Sequence, residues 1–254
     1  DVFNWPFIWT FILGMAAVAL PSILVAKVFF PNSFSGLTLH GLTSIFANTG
    51  YMGIPLFIAA FGADGALPAV IATAVNSALI IGLSILFAEI GRGSGNSPGR
   101  VLGDALLAVL RGPLFLAPVA GILWSAFGLG LPVWLSNFAS LMGSASGPCA
   151  LFAMGLFLVG KPVSSGLGEV SWLVLAKLVL HPLITWWLAV SVFHLDFEFT
   201  RGAVLMAALP TGTLCFVIAQ KYGIFVQRSS AAILLSTAFS VVTVSGLLAY
   251  FGTG

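Results

Sequence analysis

An all-α, polytopic membrane protein is the fold class this sequence predicts, and three observations predict it. Hydrophobic residues make up 59% of the 254 residues and charged residues 6%, against about 25% charged in a soluble domain. Mean hydropathy is +1.13, so the charges are too few to cover a water-facing surface and the natural solvent is lipid. The apolar residues also fall into runs of about 20, the length that crosses a bilayer. A net charge of +2 gives no basis for binding nucleic acid. The two cysteines, Cys149 and Cys215, lie inside apolar runs and make neither a disulfide framework nor a metal site. No cofactor and no metal are expected.

Eight spans follow in order, at 5–30, 37–61, 66–90, 100–127, 131–159, 169–194, 200–222 and 228–251. Their separators carry turn chemistry: Pro31-Asn32-Ser33, Gly62 to Gly65, Gly91 to Gly99, Gly128 to Pro132, and Gly160-Lys161-Pro162. Arg111, Gly112 and Pro113 interrupt the fourth span. With eight alternating spans, one side receives Lys27, Arg92, Arg100, Lys161, Lys221 and Arg228, and the other receives Arg201 beside Asp196 and Glu198. The positive-inside rule makes the first side cytoplasmic. Both visible termini are then expected outside and the 92–100 loop inside. Trp5, Trp9, Trp134 and Trp172, near span ends, suit interfacial anchors.

The second and seventh spans resemble each other. Asn48-Thr49-Gly50-Tyr51-Met52-Gly53-Ile54-Pro55 aligns with Pro210-Thr211-Gly212-Thr213-Leu214-Cys215-Phe216-Val217, with Thr211 lying 162 residues beyond Thr49. Ile71-Ala72-Thr73-Ala74 and Ile233-Leu234-Leu235-Ser236 share that offset. Three spans then precede the long loop and five follow it. A five-plus-five protein lacking its first two helices gives this pattern, and the opening Asp1 fits a fragment. An odd number of spans per repeat inverts one half relative to the other, the architecture of many secondary transporters. The expected organisation is 1–91 as the remainder of the first repeat, 92–100 as a cytoplasmic loop, and 101–254 as the second repeat.

The chemistry sits where the matched spans are interrupted. Gly50, Gly53 and Pro55 cluster near the middle of one, and Pro210 and Gly212 occupy the equivalent place in the other. Proline removes a backbone donor, and glycine tolerates the dihedrals of an unwound stretch. Free backbone groups in hydrocarbon are costly unless they line a cavity or meet protein. Two half-helix starts aimed at one spot form an anion site from N–H groups and dipole ends. Ordinary kinks are the competing reading for either motif alone; the matched pair favours a substrate site.

These residues resemble a family. Ala47 to Leu56 is similar to the signature of the auxin efflux carrier family, which includes plant auxin carriers and bacterial permeases. Leu209 to Ala219 followed by Lys221-Tyr222-Gly223 is similar to that family's second crossover, and Gly147 to Leu156 to its seventh helix. The resemblance implies ten helices in an inverted five-plus-five arrangement, two crossing broken helices, and carriage of a small organic anion by alternating access. It makes Asn48 the asparagine that faces a carboxylate and Pro210 the second-crossover proline. Ala47 stands where plant members have proline, so the first break must rest on Gly50, Gly53 and Pro55. The short 92–100 loop fits a bacterial member, hence a bacterial inner membrane.

Asn48 and Thr49 are therefore expected to bond the carboxylate, with Thr211, Thr213 and backbone amides opposite and with Pro55 and Pro210 holding the breaks open. Lys177 and His181 lie four apart on the sixth span and face the same way. Lys177 either attracts the anion, titrates, or snorkels to the interface. His181 either relays protons or bonds a carbonyl freed by Pro182. Asn76 and Gln220 are ligand candidates balanced against helix packing. No intramembrane carboxylate pair stands out. The partners expected are a small organic anion and lipid, and a homodimer is compatible with the sequence. A sodium- or proton-coupled symporter with a related bundle is the nearest alternative, and a channel comes next. An enzyme is not expected, since no acid is placed to orient His181.

Overall fold

In a computed structural model, residues 4–62, 64–76, 113–128, 130–159 and 166–252 are described, with 103, 107, 110 and 111 as isolated positions. The part of the third span beyond Asn76, the start of the fourth, the 92–100 loop, and the turn around Lys161 lie outside them. Helices make up the described residues, and no strand occurs among them beyond one isolated bridge.

The long helix α1 (Trp5–Phe29) starts where the Asn4 side chain accepts the Phe7 amide at 3.0 Å, with Pro6 in its first turn. Ser33 caps α2 (Phe34–Ile45) in the same way. After a break, α3 (Thr49–Phe61) begins with a wide π turn over Thr49–Gly53. Then α4 (Leu67–Val75) turns back along it. α5 (Pro113–Ala126) and α6 (Val133–Leu158) come next. The helical run α7 (Leu167–Val192) contains π turns at Ala176–Leu180 and Leu188–Val192. Asp196 caps α8 (Phe197–Ala208), which ends at a second break before α9 (Leu214–Tyr222). α10 (Val226–Phe251) closes the described chain.

By length and composition three of these can cross a membrane unbroken: α1, α7 and α10. The second and seventh spans read from the sequence are instead each two shorter helices separated by a break. The π turn before Pro182 has a local cause. Proline offers no N–H and its ring crowds the preceding turn, and the wider turn absorbs that misfit.

The core forms around α8, whose residues from Gly202 to Ala208 are all buried. Phe7, Phe11, Met15 and Val18 of α1, Ala69 and Ala72 of α4, and Ala203 to Met206 of α8 make one apolar cluster. Leu39, Leu42 and Phe46 pack with Cys215, Phe216, Ala219 and Ile233 in a second. Small residues set the helix spacing, as in membrane bundles generally. A Cβ on Gly202 would stand 2.4 Å from Pro68 Cβ, so α8 and α4 touch backbone to side chain there. Leu20, Leu24, Val28 and Phe29 of α1 stay exposed.

Candidate functional site

The two breaks meet. α2 ends on Phe46 and α8 on Leu209, both in extended conformation, and the segments beyond them pair as a two-residue antiparallel bridge between Ala47 and Thr211. Asn48 N–H donates to the Pro210 carbonyl at 2.9 Å, and Gly212 N–H donates to the Phe46 carbonyl at 2.9 Å. These reciprocal bonds satisfy backbone groups that unwinding has released, which a membrane interior requires. Asn48 and Pro210, which the Thr-Gly alignment makes equivalent, are joined by one of these bonds, and Ala47 lies opposite Thr211. The two breaks differ in length: α3 resumes at Thr49 directly after its break, while α9 resumes only at Leu214.

Side chains brace the crossing. Thr211 Oγ1 donates to the Thr43 carbonyl at 3.0 Å, and Thr211 N–H donates to Ser236 Oγ of α10 at 3.1 Å. Asn76 Nδ2 donates to the Ala47 carbonyl and to Thr49 Oγ1, at 3.3 and 3.2 Å. Its Oδ1 is buried without a partner. Thr49, Asn76, Thr211 and Thr213 are all at most 4% exposed. Asn48 differs: it is half-buried, its side chain does not cap the half-helix beside it, and neighbouring Gly50 is exposed. The crossing is therefore open on the Asn48–Gly50 side and closed on the Pro210–Thr213 side.

The glycines are packing requirements. A Cβ on Gly212 would lie 2.6 and 2.8 Å from the Phe46 ring, and one on Gly53 would lie 2.9 Å from Leu209 and Met206. Pro55 stands in the first turn of the α-helical part of α3 and is exposed. It lies beyond the break, at a position where proline costs nothing. Gln220 is exposed near the far end of α9 and does not join the crossing.

Lys177 is fully buried and does not snorkel. Its ammonium donates to the Ala207 carbonyl, three residues before Pro210, and lies 3.1 Å from His181 Nδ1. The last carbonyls of a helix lack intrahelical partners and carry the negative end of its dipole, so Lys177 closes the end of α8.

A second polar cluster was not visible in the sequence. Glu169, 2% exposed, accepts Asn32 Nδ2 at 2.8 Å, meets His40 Nδ1 at 2.8 Å, and pairs through Oε2 with Arg228 at 2.8 Å. His40 Nε2 lies 3.1 Å from Ser22 Oγ, which also accepts Trp172 Nε1–H at 3.0 Å. Trp172, read as an interfacial anchor, is thus tied into the bundle. A cavity of about 410 Å³ opens beside Arg228 between the starts of α2 and α10. The only advance signal was a lone acid and a lone histidine in apolar helices, which membrane energetics makes expensive.

The chain matches the family described as "Membrane transport protein" over residues 1–248. A protein of Rhizobium meliloti (strain 1021) named "Putative malonate transporter" is 34% identical over 224 residues, covering 88% of this chain and 70% of that one. This chain belongs to the auxin efflux carrier family of membrane transport proteins. The "Uncharacterized transporter YfdV" of Escherichia coli (strain K12) is 25% identical over 85% of this chain and 68% of its own length. A rice protein, "Probable auxin efflux carrier component 1d", is 24% identical over 57% of this chain and 28% of its own. Members of the family are transporters rather than enzymes, and the apolar helices make this one an integral membrane protein.

Proposed function

We propose that this protein is a secondary carrier that moves a small organic anion, a mono- or dicarboxylate, by alternating access around the crossing of its two broken helices. The observation that carries the reading is the reciprocal pair of bonds joining Asn48 to Pro210 and Gly212 to Phe46. It brings two unwound segments and two half-helix starts to one point. The inverted five-plus-five reading draws support from spacing: α7 starts 162 residues after α1, and α8 starts 163 after α2. A bacterial inner membrane, with the 92–100 loop cytoplasmic and the visible termini outside, belongs to the same proposal.

Within the site, Asn48 and the Gly50 amide face the anion, because they stand on the open side. Thr49, Asn76, Thr211 and Thr213 hold the crossing rather than the ligand, since they are buried and the first three are hydrogen-bonded to one another's elements. Lys177 contributes long-range attraction through the end of α8. Malonate is the first substrate to try, given what the Rhizobium relative is named for.

Ligand binding to the purified full-length protein tests this. Malonate at a hundredfold excess over its Kd is expected to add about 2.7 kcal/mol of stability. A hydrogen bond to a charged group contributes about 1.5–3 kcal/mol, so Asn48→Ala is expected to weaken binding roughly 10- to 100-fold. Equal thermal stabilisation of both proteins by malonate would remove Asn48 from the site.

A further inference from the structure

Lys177 carries an ammonium group in the protein interior, and no carboxylate pairs with it among the described residues. A buried charge held only by neutral acceptors is expensive. Along the same face of α7, one and two turns further on, stand His181 and Thr185, both fully buried. His181 Nε2 and Thr185 Oγ1 have no hydrogen-bond partner. Buried polar atoms left this way are uncommon and call for a reason. Here they continue a polar line that begins at the crossing.

We propose that Lys177 and His181 form a proton site that couples anion movement to the pH gradient, making the protein a proton–anion symporter. The proposal rests on the carrier reading above. The step is a proton transfer with no redox change. Hydronium on the acidic side gives up its proton, the Lys177 amine or the His181 ring nitrogen bonded to it takes the proton, and water on the other side accepts it on release. A carboxylate at the crossing stabilises the cationic pair, and the cationic pair stabilises the carboxylate to the same degree. Anion and proton load together and leave together. Thr185 extends the route away from the crossing toward the Val192 end of α7.

The surroundings isolate this pair. From α1 the ionisable group is Lys27, exposed at the helix end. From α2 it is His40, engaged with Ser22 and Glu169. α8 carries Glu198 and Arg201 near its start, far along the helix from Ala207. α10 carries Arg228, paired with Glu169, and Tyr250 against Trp186. α9 carries exposed Lys221 and the buried Cys215 thiol. Among the described residues, His181 is the titratable group within hydrogen-bond reach of Lys177.

The test uses the full-length protein in proteoliposomes with radiolabelled malonate, potassium and valinomycin clamping the potential at zero, and protein-free vesicles subtracted. With one proton per anion, external acidity of one pH unit is expected to concentrate malonate about tenfold inside, and a lumenal dye should report acidification on entry. His181→Gln is expected to keep counterflow within severalfold of wild type while losing gradient-driven accumulation. Thr185→Val, nearly isosteric, should slow gradient-driven entry severalfold at equal counterflow. Wild-type counterflow without accumulation under the gradient overturns the coupling and leaves the carrier reading standing. No counterflow at all defeats the carrier reading first. Full accumulation in His181→Gln, or equal entry rates in Thr185→Val, overturns the assignment to this line of residues.

Discussion

Glu169→Ala is expected to lower the stability of the protein by about 3 kcal/mol, the low end of what breaking a buried ion pair costs. The variant leaves Arg228, His40 and Asn32 without their common acceptor. Arg228 is 32% exposed and can hydrate toward the neighbouring cavity, which keeps the penalty at that end. His40 has no such outlet, being fully buried. In detergent the melting temperature should fall by about 10 °C. Glu169→Gln should fall by less, because one amide oxygen still accepts from Asn32 or His40 while its NH₂ meets a donor. Equal melting of Glu169→Ala and wild type would show that these contacts contribute nothing net. The cluster ties the end of α1, the start of α2, the start of α7 and the start of α10 at one place. Its loss should therefore loosen the bundle without touching the crossing directly.

Gly212→Val should abolish transport and cost about 1–3 kcal/mol of stability as well, the usual range for overpacking. Its first added carbon falls 2.6 Å from the Phe46 ring and 3.4 Å from the Ala47 carbonyl. Phe46 is itself buried against Leu42 and Cys215, so the ring has little room to yield. What gives instead is the Gly212-to-Phe46 hydrogen bond, one of the two that join the breaks. Gly246→Val serves as the control, since an added carbon there meets nothing within 4 Å. Melting curves and uptake measured on both variants distinguish local strain from a general dislike of valine. Normal uptake by Gly212→Val would mean that the crossing need not be held at this spacing.

Much of this architecture was legible because membrane helices announce themselves by run length, and breaks by proline and glycine. Pro210 and Gly212 sit in the second break as their residue types suggest. Pro55 misled for a physical reason. Proline marks both a break and the first turn after one, and the sequence does not separate the two. The first break lies at Phe46 to Asn48, where no residue but Asn48 has an unusual preference. Asn76 and Lys177 were picked out as polar groups in apolar helices, and Thr49, Thr211 and Thr213 through the interrupted motifs that hold them. Which of them brace and which face open space depends on burial, which local sequence does not encode. The Glu169 cluster joins residues more than a hundred positions apart, so no local pattern shows that they meet.

The measurement that bears most directly on the central claim is counterflow of labelled malonate into proteoliposomes loaded with unlabelled mono- or dicarboxylates. A carrier with its site at the crossing predicts saturable uptake driven by an internal carboxylate, reduced roughly 10- to 100-fold in Asn48→Ala at substrate well below Kd. Flux that neither saturates nor depends on the internal anion would contradict it and describe a channel. Saturable counterflow that Asn48→Ala leaves intact would contradict it differently, by taking the crossing out of the substrate's path.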